Sequence, residues 1–275
     1  MPELPEVETV VRGLRSRLEG RRVGELVFLS PHLGQKQPLP ALGPDLYRGR
    51  KIDKIWRRGK MIIFNFSGGC GLLIHLKMTG QLYLCSPKHP VDKHTHARMT
   101  FADLSSELRF RDIRKFGFLN CLPTTEILTR VNSELGPEPL DLDFSGFQSR
   151  LKKHGGKKIK GWLLDQKIVA GIGNIYSDEI LIRARIRPDR LADRLSPEET
   201  RRLFRAMKFV LRKAIELRGS SISDYVDSKG EKGKFQQKHL VYGREGLLCR
   251  RCRKTVIRRK KIAGRSSFFC PHCQK

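Results

Sequence analysis

Four cysteines near the end of the chain leave little choice for the segment that carries them. Cys249, Cys252, Cys270 and Cys273 form C-x2-C-x17-C-x2-C, the spacing of a four-thiolate zinc site rather than of two disulfides. Four thiolates complete a tetrahedron, so one such zinc ion has no open position for a catalytic water and is structural. Between the two pairs lie Arg253, Lys254, Arg258, Arg259, Lys260, Lys261 and Arg265. A metal-clamped hairpin that carries so many cations suits a polyanionic partner. The remaining cysteines, Cys70, Cys85 and Cys121, fall in strand-like apolar segments, where a free thiol serves as a small core residue.

The whole chain shares this bias. Its 275 residues include 56 Lys and Arg against 28 Asp and Glu, a net charge of +28. Nucleic acid is the first candidate partner and an acidic membrane surface the second. No apolar run approaches a membrane span. The N-terminus opens on acids and an amphipathic helix rather than a secretory signal, which reads as a soluble intracellular protein. The length suits two modest domains.

Met1-Pro2-Glu3-Leu4-Pro5-Glu6-Val7-Glu8 admits two readings. Trimming of Met1 would leave Pro2 as a secondary amine beside the carboxylate of Glu3. Free α-amino groups titrate near pH ~8, so an unprotonated fraction is available to attack an aldehyde-like carbon. Alternatively the two prolines only stiffen a helix entry. The apolar face Val7, Val10, Val11, Leu14 and Leu18 predicts a helix ending near Gly20, with Pro5 in its first turn and Glu6 and Glu8 at its positive end.

From Arg22 to Leu122 the pattern is that of strands: Val23–Leu29, Lys51–Trp56, Met61–Phe66, Leu72–Leu76, Leu82–Cys85, Arg98–Phe101 and Leu108–Phe110. Many short strands behind one helix predict a β-sandwich or flattened barrel. Arg57-Arg58-Gly59-Lys60 puts three cations on one tight turn, suited to a phosphate or simply solvated. Arg111 to Gly117 sets Phe116 among cations, the mixture of a group that stacks on or wedges between bases, or again solvated hairpin charge. Thr124–Leu135 reads as a short helix, and Gly136-Pro137-Glu138-Pro139 as a linker.

Beyond the linker the pattern is helical. Phe144, Phe147 and Leu151 mark one helix, and Ile159, Leu163 and Leu164 another. Gly171-Ile172-Gly173-Asn174 turns into a third, where backbone and side-chain amides suit an anion. It lacks a dinucleotide fingerprint and a βαβ context, which excludes nucleotide-cofactor binding. Ser196-Pro197-Glu198-Glu199 is a capping box that opens a helix running to Gly219. Ser220 to Gln237 is polar and aperiodic, a connector or a functional loop.

Taken together, several motifs carry a resemblance: Met1 to Val10, Arg58-Gly59-Lys60, His75-Leu76-Lys77-Met78-Thr79-Gly80, Asp112 to Gly117, Ala170 to Tyr176, Tyr242 to Gly246, and the zinc finger with Gly264-Arg265-Ser266. In this order, over essentially the whole chain, they resemble the formamidopyrimidine-DNA glycosylases of bacterial base-excision repair. The resemblance implies an α+β chain. Residues 1–135 would form an N-terminal catalytic β-sandwich domain and 136–140 a linker. Residues 141–238 would form a helix-two-turns-helix domain with a lesion-capping loop near 219–237, and 239–275 a zinc finger. It implies excision of 8-oxoguanine and formamidopyrimidines from double-stranded DNA, then cleavage on both sides of the emptied sugar, by a cytoplasmic, nucleoid-associated monomer. Pro2 would be the nucleophile at the sugar C1′, Glu3 the acid that helps open the ring, and Glu6 a support for both. Lys60, His75, Asn174 and Arg265 would grip phosphates, while Met78, Arg114 and Phe116 would fill the gap left by the flipped base. The family usually has glycine where Lys77 stands and often proline where Ile113 stands. Two rivals remain: an endonuclease VIII-type glycosylase for oxidised pyrimidines, disfavoured by Pro2-Glu3-Leu4-Pro5, and a non-catalytic DNA-binding protein, which has no need of Pro2 and Glu3.

Overall fold

The computed structural model describes residues 1–30, 42–222 and 225–275. Two compact units emerge, Met1–Ser133 with Leu217–Lys234, and Glu134–Glu216 with Phe235–Lys275. The sequence groups 217–234 with the helices that precede it. Its contacts group it with the first unit, because Ser220 and Tyr225 bond to Glu6. Of the expected capping loop, Ser223 and Asp224 lie outside the described residues.

The first unit begins with helix α1, Leu4–Leu18. Behind it come β1 (Val23–Phe28), β2 (Ile52–Arg58), β3 (Met61–Phe66), β4 (Cys70–His75), β5 (Gly80–Cys85), β6 (Thr95–Phe101), β7 (Leu104–Asp112) and β8 (Phe118–Pro123). They form two four-stranded antiparallel sheets, in the orders β1-β6-β7-β5 and β2-β3-β4-β8. One apolar cluster takes residues from both sheets, including Leu26, Met99 and Phe110 from one and Phe64, Leu72 and Leu119 from the other. This is the expected sandwich. Val7, Val10, Val11, Leu14 and Leu18 of α1 enter the same cluster, which anchors the start of the chain to the core. β8 lies beyond the seven expected strands; its run Phe-Leu-Asn-Cys-Leu is buried on both faces and so lacks the alternation that marks a strand.

The second unit holds α3 (Phe144–Lys153), α4 (Ile159–Leu164), α5 (Asn174–Ala184) and α6 (Pro197–Glu216); α2 (Thr124–Glu134) leads into it. Asp143 caps α3 by accepting from the Gly146 N–H at 2.8 Å. The capping box of α6 forms as expected. The Glu199 N–H donates to Ser196 Oγ at 3.2 Å, and the Ser196 N–H to Glu199 Oε2 at 2.9 Å. A two-stranded hairpin, β9 (Arg258–Ile262) and β10 (Arg265–Phe269), completes the unit.

Buried carboxylates tie its parts together. Asp178 on α5 accepts from Lys160 Nζ of α4 at 2.6 Å and from the Phe268 N–H of β10 at 3.0 Å. Glu179 accepts three backbone N–H groups, those of Leu240, Val241 and Tyr242, at 2.9–3.0 Å. Burial pushes both carboxyls up, against the lowering exerted by these same donors. Among the described residues no helix is long and apolar enough to cross a membrane.

Candidate active site and nucleic-acid contacts

The start of α1 is built around two buried acids. Glu3 is the N-cap and Glu6 the third helical residue, and they form a capping box. The Glu3 N–H donates to Glu6 Oε2 at 2.7 Å, and the Glu3 side chain accepts from the Glu6 backbone. Glu6 Oε1 accepts the Ser220 N–H at 2.7 Å, and its carbonyl accepts from the Tyr225 hydroxyl at 3.3 Å. Both carboxylates are buried, at 2% and 1% exposure, and Pro2 is buried with them. The segment that presents Pro2 is therefore fixed on three sides by backbone donors and the core.

Glu6 tolerates no bulk beside it. A Cβ added to Gly219 would lie 2.6 Å from Glu6 Oε1, and Gly219 has φ +76°. Glycine is required here for both reasons.

The β2–β3 turn divides its cations. Arg57 donates to Glu8 at 2.9 Å, and its side chain is only 9% exposed. Burial raises the Glu8 carboxyl, but the guanidinium groups of Arg12 and Arg57 outweigh it and leave the pKa lowered. Arg57 thus fastens the turn to α1 instead of offering its charge to a phosphate, a correction to the three-cation reading. Lys60, largely buried, ends the turn just before the return strand β3. Met61, next in the chain, pairs across the sheet with His75.

His75 closes β4. Its Nδ1 accepts the Lys77 N–H at 2.9 Å, so Nε2 carries the proton of the neutral ring. Burial, then the charges of Lys77 and Lys60, lowers its pKa to about 3. It is a neutral hydrogen-bond donor at ordinary pH, not a cation.

Two loops meet at the end of the sandwich around Asp112, which is fully buried. Its Oδ1 accepts from the Thr79 hydroxyl and from the Arg114 N–H at 3.2 Å, and its Oδ2 from the Gly117 N–H at 2.7 Å. The β4–β5 and β7–β8 loops are thereby locked, and they present Met78, Arg114 and Phe116 side by side. Arg114 Nη1 lies 3.2 Å from Met78 Sδ, and its guanidinium sits 4.6 Å from the Phe116 ring centroid. Met78 and Phe116 are 41% and 44% exposed. Two large apolar groups held in water by a rigid base are poised for insertion into something apolar and flat, such as a base stack. Sequence reasoning found this trio but missed Asp112 and Thr79 as the pair that sets it; an acid beside an exposed aromatic loop was the available signal.

In the second unit, Asn174 reaches the strand that bears Arg265. Asn174 opens α5 and its Nδ2 donates to the Ser266 carbonyl at 3.0 Å; an amide nitrogen carries two hydrogens, so one remains. Nearby, Lys160 is buried on Asp178 and Lys157 donates to Asp165 at 2.5 Å, so these two lysines have structural partners.

The four cysteines converge. Their Sγ atoms all lie within 4.8 Å of one another, with Cys249–Cys273 at 4.0 Å and Cys252–Cys270 at 3.8 Å. A tetrahedron of Zn–S bonds near 2.3 Å has edges of about 3.8 Å. Backbone N–H groups of Arg251 and Cys273 point at Cys249 and Cys270 Sγ, at 3.4 and 3.3 Å, as thiolates require. One structural zinc fits, and it would fix the loops flanking the hairpin that bears Arg265.

Three family models match the chain: the formamidopyrimidine-DNA glycosylase N-terminal domain over residues 1–119, the H2TH domain of the same enzymes over 135–226, and the zinc finger found in FPG and IleRS over 246–275. The chain belongs to the formamidopyrimidine-DNA glycosylase family. The enzyme of that name from Heliobacterium modesticaldum is 46% identical over the full length of both chains, and that from Solibacter usitatus 47%. Among solved structures, Lactococcus lactis Fpg in complex with abasic-site DNA is 37% identical, covers 99% of each chain and gives a TM-score of 0.89. MutM in complex with DNA containing carbocyclic 8-oxo-G is 38% identical over all of both chains, with a TM-score of 0.88. Within this family fold, Pro2, Glu3, Glu6, Lys60, His75, Met78, Arg114 and Phe116 belong to the first unit, and Asn174, Arg265 and the four cysteines to the second.

Proposed function

We propose that this chain is a bifunctional DNA glycosylase that excises 8-oxoguanine and formamidopyrimidines from duplex DNA and then cuts the emptied strand. The observation that carries the reading is the buried Pro2–Glu3–Glu6 arrangement at the head of α1, in the same unit as the sheet end bearing Lys60 and His75. The names of the curated relatives and the damaged DNA in the solved complexes support the substrate class.

Once Met1 is removed, the Pro2 amine attacks C1′ of the damaged nucleotide. The bond from C1′ to the base nitrogen breaks, and the base leaves with its electron pair and takes up a proton. Glu3 protonates the sugar ring oxygen as the ring opens, leaving an iminium between Pro2 and C1′. That cation acidifies C2′, so loss of a C2′ proton expels the 3′ phosphate and a second elimination expels the 5′ phosphate. Water then hydrolyses the remaining iminium and restores the amine. A base inside the stack is out of reach, so the nucleotide must be extruded; Met78, Arg114 and Phe116 fill the vacancy, with Arg114 facing the orphan cytosine. Lys60, His75, Asn174 and Arg265 hold the flanking phosphates. Residues 1–135 supply chemistry and wedge, 141–238 and the zinc finger at 239–275 grip the duplex, and the capping loop near 219–237 closes over the lesion. The enzyme works as a cytoplasmic, nucleoid-associated monomer.

The test is covalent capture. Duplex with 8-oxoguanine opposite cytosine, incubated in borohydride, should yield a stable protein–DNA adduct whose linkage maps to Pro2 by mass spectrometry. Absence of the adduct with the trimmed protein, or undiminished trapping by Pro2→Gly, sinks the proposed nucleophile. Preferential trapping on oxidised pyrimidines would instead favour the endonuclease VIII-type reading.

A further inference from the structure

Lys77 stands at a position where its own backbone argues against it. Its φ is +49°, in the left-handed region that glycine enters freely and a lysine does not. A residue kept there at a cost to the fold invites the question of what its side chain contributes. Its N–H donates to His75 Nδ1 at 2.9 Å, so the strained backbone itself holds that ring. The next residue is the exposed Met78.

The ammonium group has a defined seat. Nζ lies 5.5 Å from the centroid of the Phe118 ring, the ring that also packs against His75 with centroids 5.7 Å apart. Among the described residues no carboxylate pairs with it. Lys60 approaches the same place from the neighbouring strand, because Met61 and His75 are cross-strand partners. The charges of Lys77 and Lys60 both reach His75 and disfavour its protonation. Two ammonium groups and one neutral N–H donor thus gather at one end of the sheet, with a wedge residue directly behind the second ammonium. A cluster of that composition suits consecutive backbone phosphates of one strand.

We propose that Lys77 is a third phosphate ligand beside Lys60 and His75, holding the strand that Met78 probes and setting how firmly undamaged duplex is gripped. The inference rests on the DNA-repair reading only for the identity of its partner, duplex DNA. A phosphate contact carries no sequence information, so Lys77 strengthens binding to intact and damaged duplex alike and lengthens each encounter during a search. Its counterion-release signature is separable from a structural role, because fold stability does not enter the slope of affinity against salt.

Binding of plain duplex and of duplex carrying a tetrahydrofuran abasic analogue is measured by fluorescence anisotropy between 50 and 200 mM salt. Lys77→Met should lower the slope of log affinity against log salt by about 0.9. Across that fourfold range the wild type then loses about 3.5-fold more affinity than the variant. The change should be equal on the two duplexes, and Lys77→Arg should restore the slope. Lys77→Gly should match Lys77→Met in slope yet melt at a higher temperature, since glycine relieves the left-handed backbone. An unchanged slope in Lys77→Met, or an arginine variant that behaves like methionine, overturns the proposal. Borohydride trapping of the wild type is read separately. A protein that shows the slope change but no adduct retains Lys77 as a phosphate ligand and loses the proposed chemistry.

Discussion

At the scale of single residues, the proposed reaction centre depends on one carboxylate, Glu6, whose oxygens accept from Glu3 and from Ser220. The second bond is possible because Gly219 brings the backbone close. Gly219→Ala places a methyl 2.6 Å from Glu6 Oε1 on a backbone with positive φ, so the carboxylate must move. A displacement of this size at a reacting geometry costs about 10–100-fold in rate. Single-turnover borohydride trapping should fall by that factor, with binding of an abasic-analogue duplex much less affected. Equal loss of both would mean that the substitution merely unfolds the site. Pro2 and Glu3 are legible in the sequence because their residue types suit the proposed chemistry. The partner of Glu6 is not, since Ser220 lies 214 positions away and contributes only a backbone N–H, which leaves no mark on residue type. Arg57 misleads for a related reason: beside Arg58 and Lys60 it reads as one of three like cations, and only the fold reveals Glu8 beneath it.

At the scale of elements, helices with strong end signals are where sequence and structure agree best, α6 above all, with its capping box at Ser196 and its glycine stop. Strands are harder. β8 is buried on both faces, and the order β2-β3-β4-β8 brings it beside β4 across three intervening strands, a pairing that local patterns do not encode. The zinc hairpin sits at the opposite extreme, being read from four residues. Its apolar support is thin: Val241, Ile257 and two of the cysteines form most of its small cluster with Ile182. The fold of residues 246–275 therefore depends on the metal. Chelation at neutral pH should abolish binding to duplex while leaving most of the strand and helix signal in circular dichroism, and added zinc should restore it. Retention of full DNA affinity in metal-free protein, verified by elemental analysis, would show that the hairpin holds without the ion.

At the scale of the whole molecule, two histidines in different units link stability to acid. Burial lowers His75 to about 3 and His239 to about 4; for His239 a hydrogen bond to the Tyr242 backbone opposes the shift and the charges of Arg250 and Arg244 add to it. In the unfolded chain both titrate near ~6.5. Between those values the unfolded state binds protons that the folded state refuses, so stability is full above pH ~6.5 and declines as the pH falls toward 4 and then 3. Each histidine contributes at most about 1.4 kcal/mol per pH unit within its window. The thermal midpoint should drop between pH 6.5 and 4, and His75→Gln should flatten the decline; an unaltered acid limb in that variant would remove His75 from the account. The division of the chain is the whole-molecule feature least visible in the sequence. Composition groups 217–234 with the helices before it, whereas its backbone donors serve α1.

That return of the chain to its own beginning sets an order of events during synthesis. Pro2 and Glu3 become buried, and the last donor to Glu6 arrives only when residue 220 has been made. Until then the first residues emerge without their final partners, and a trimming peptidase can take the Met1–Pro2 bond in extended form. Afterwards Pro2 is enclosed and Glu3 is locked in its capping box. On the proposed chemistry the nascent chain therefore carries a timer: methionine is to be removed before the fold closes, and a molecule that misses that interval is complete in every element yet has no Pro2 amine with which to react.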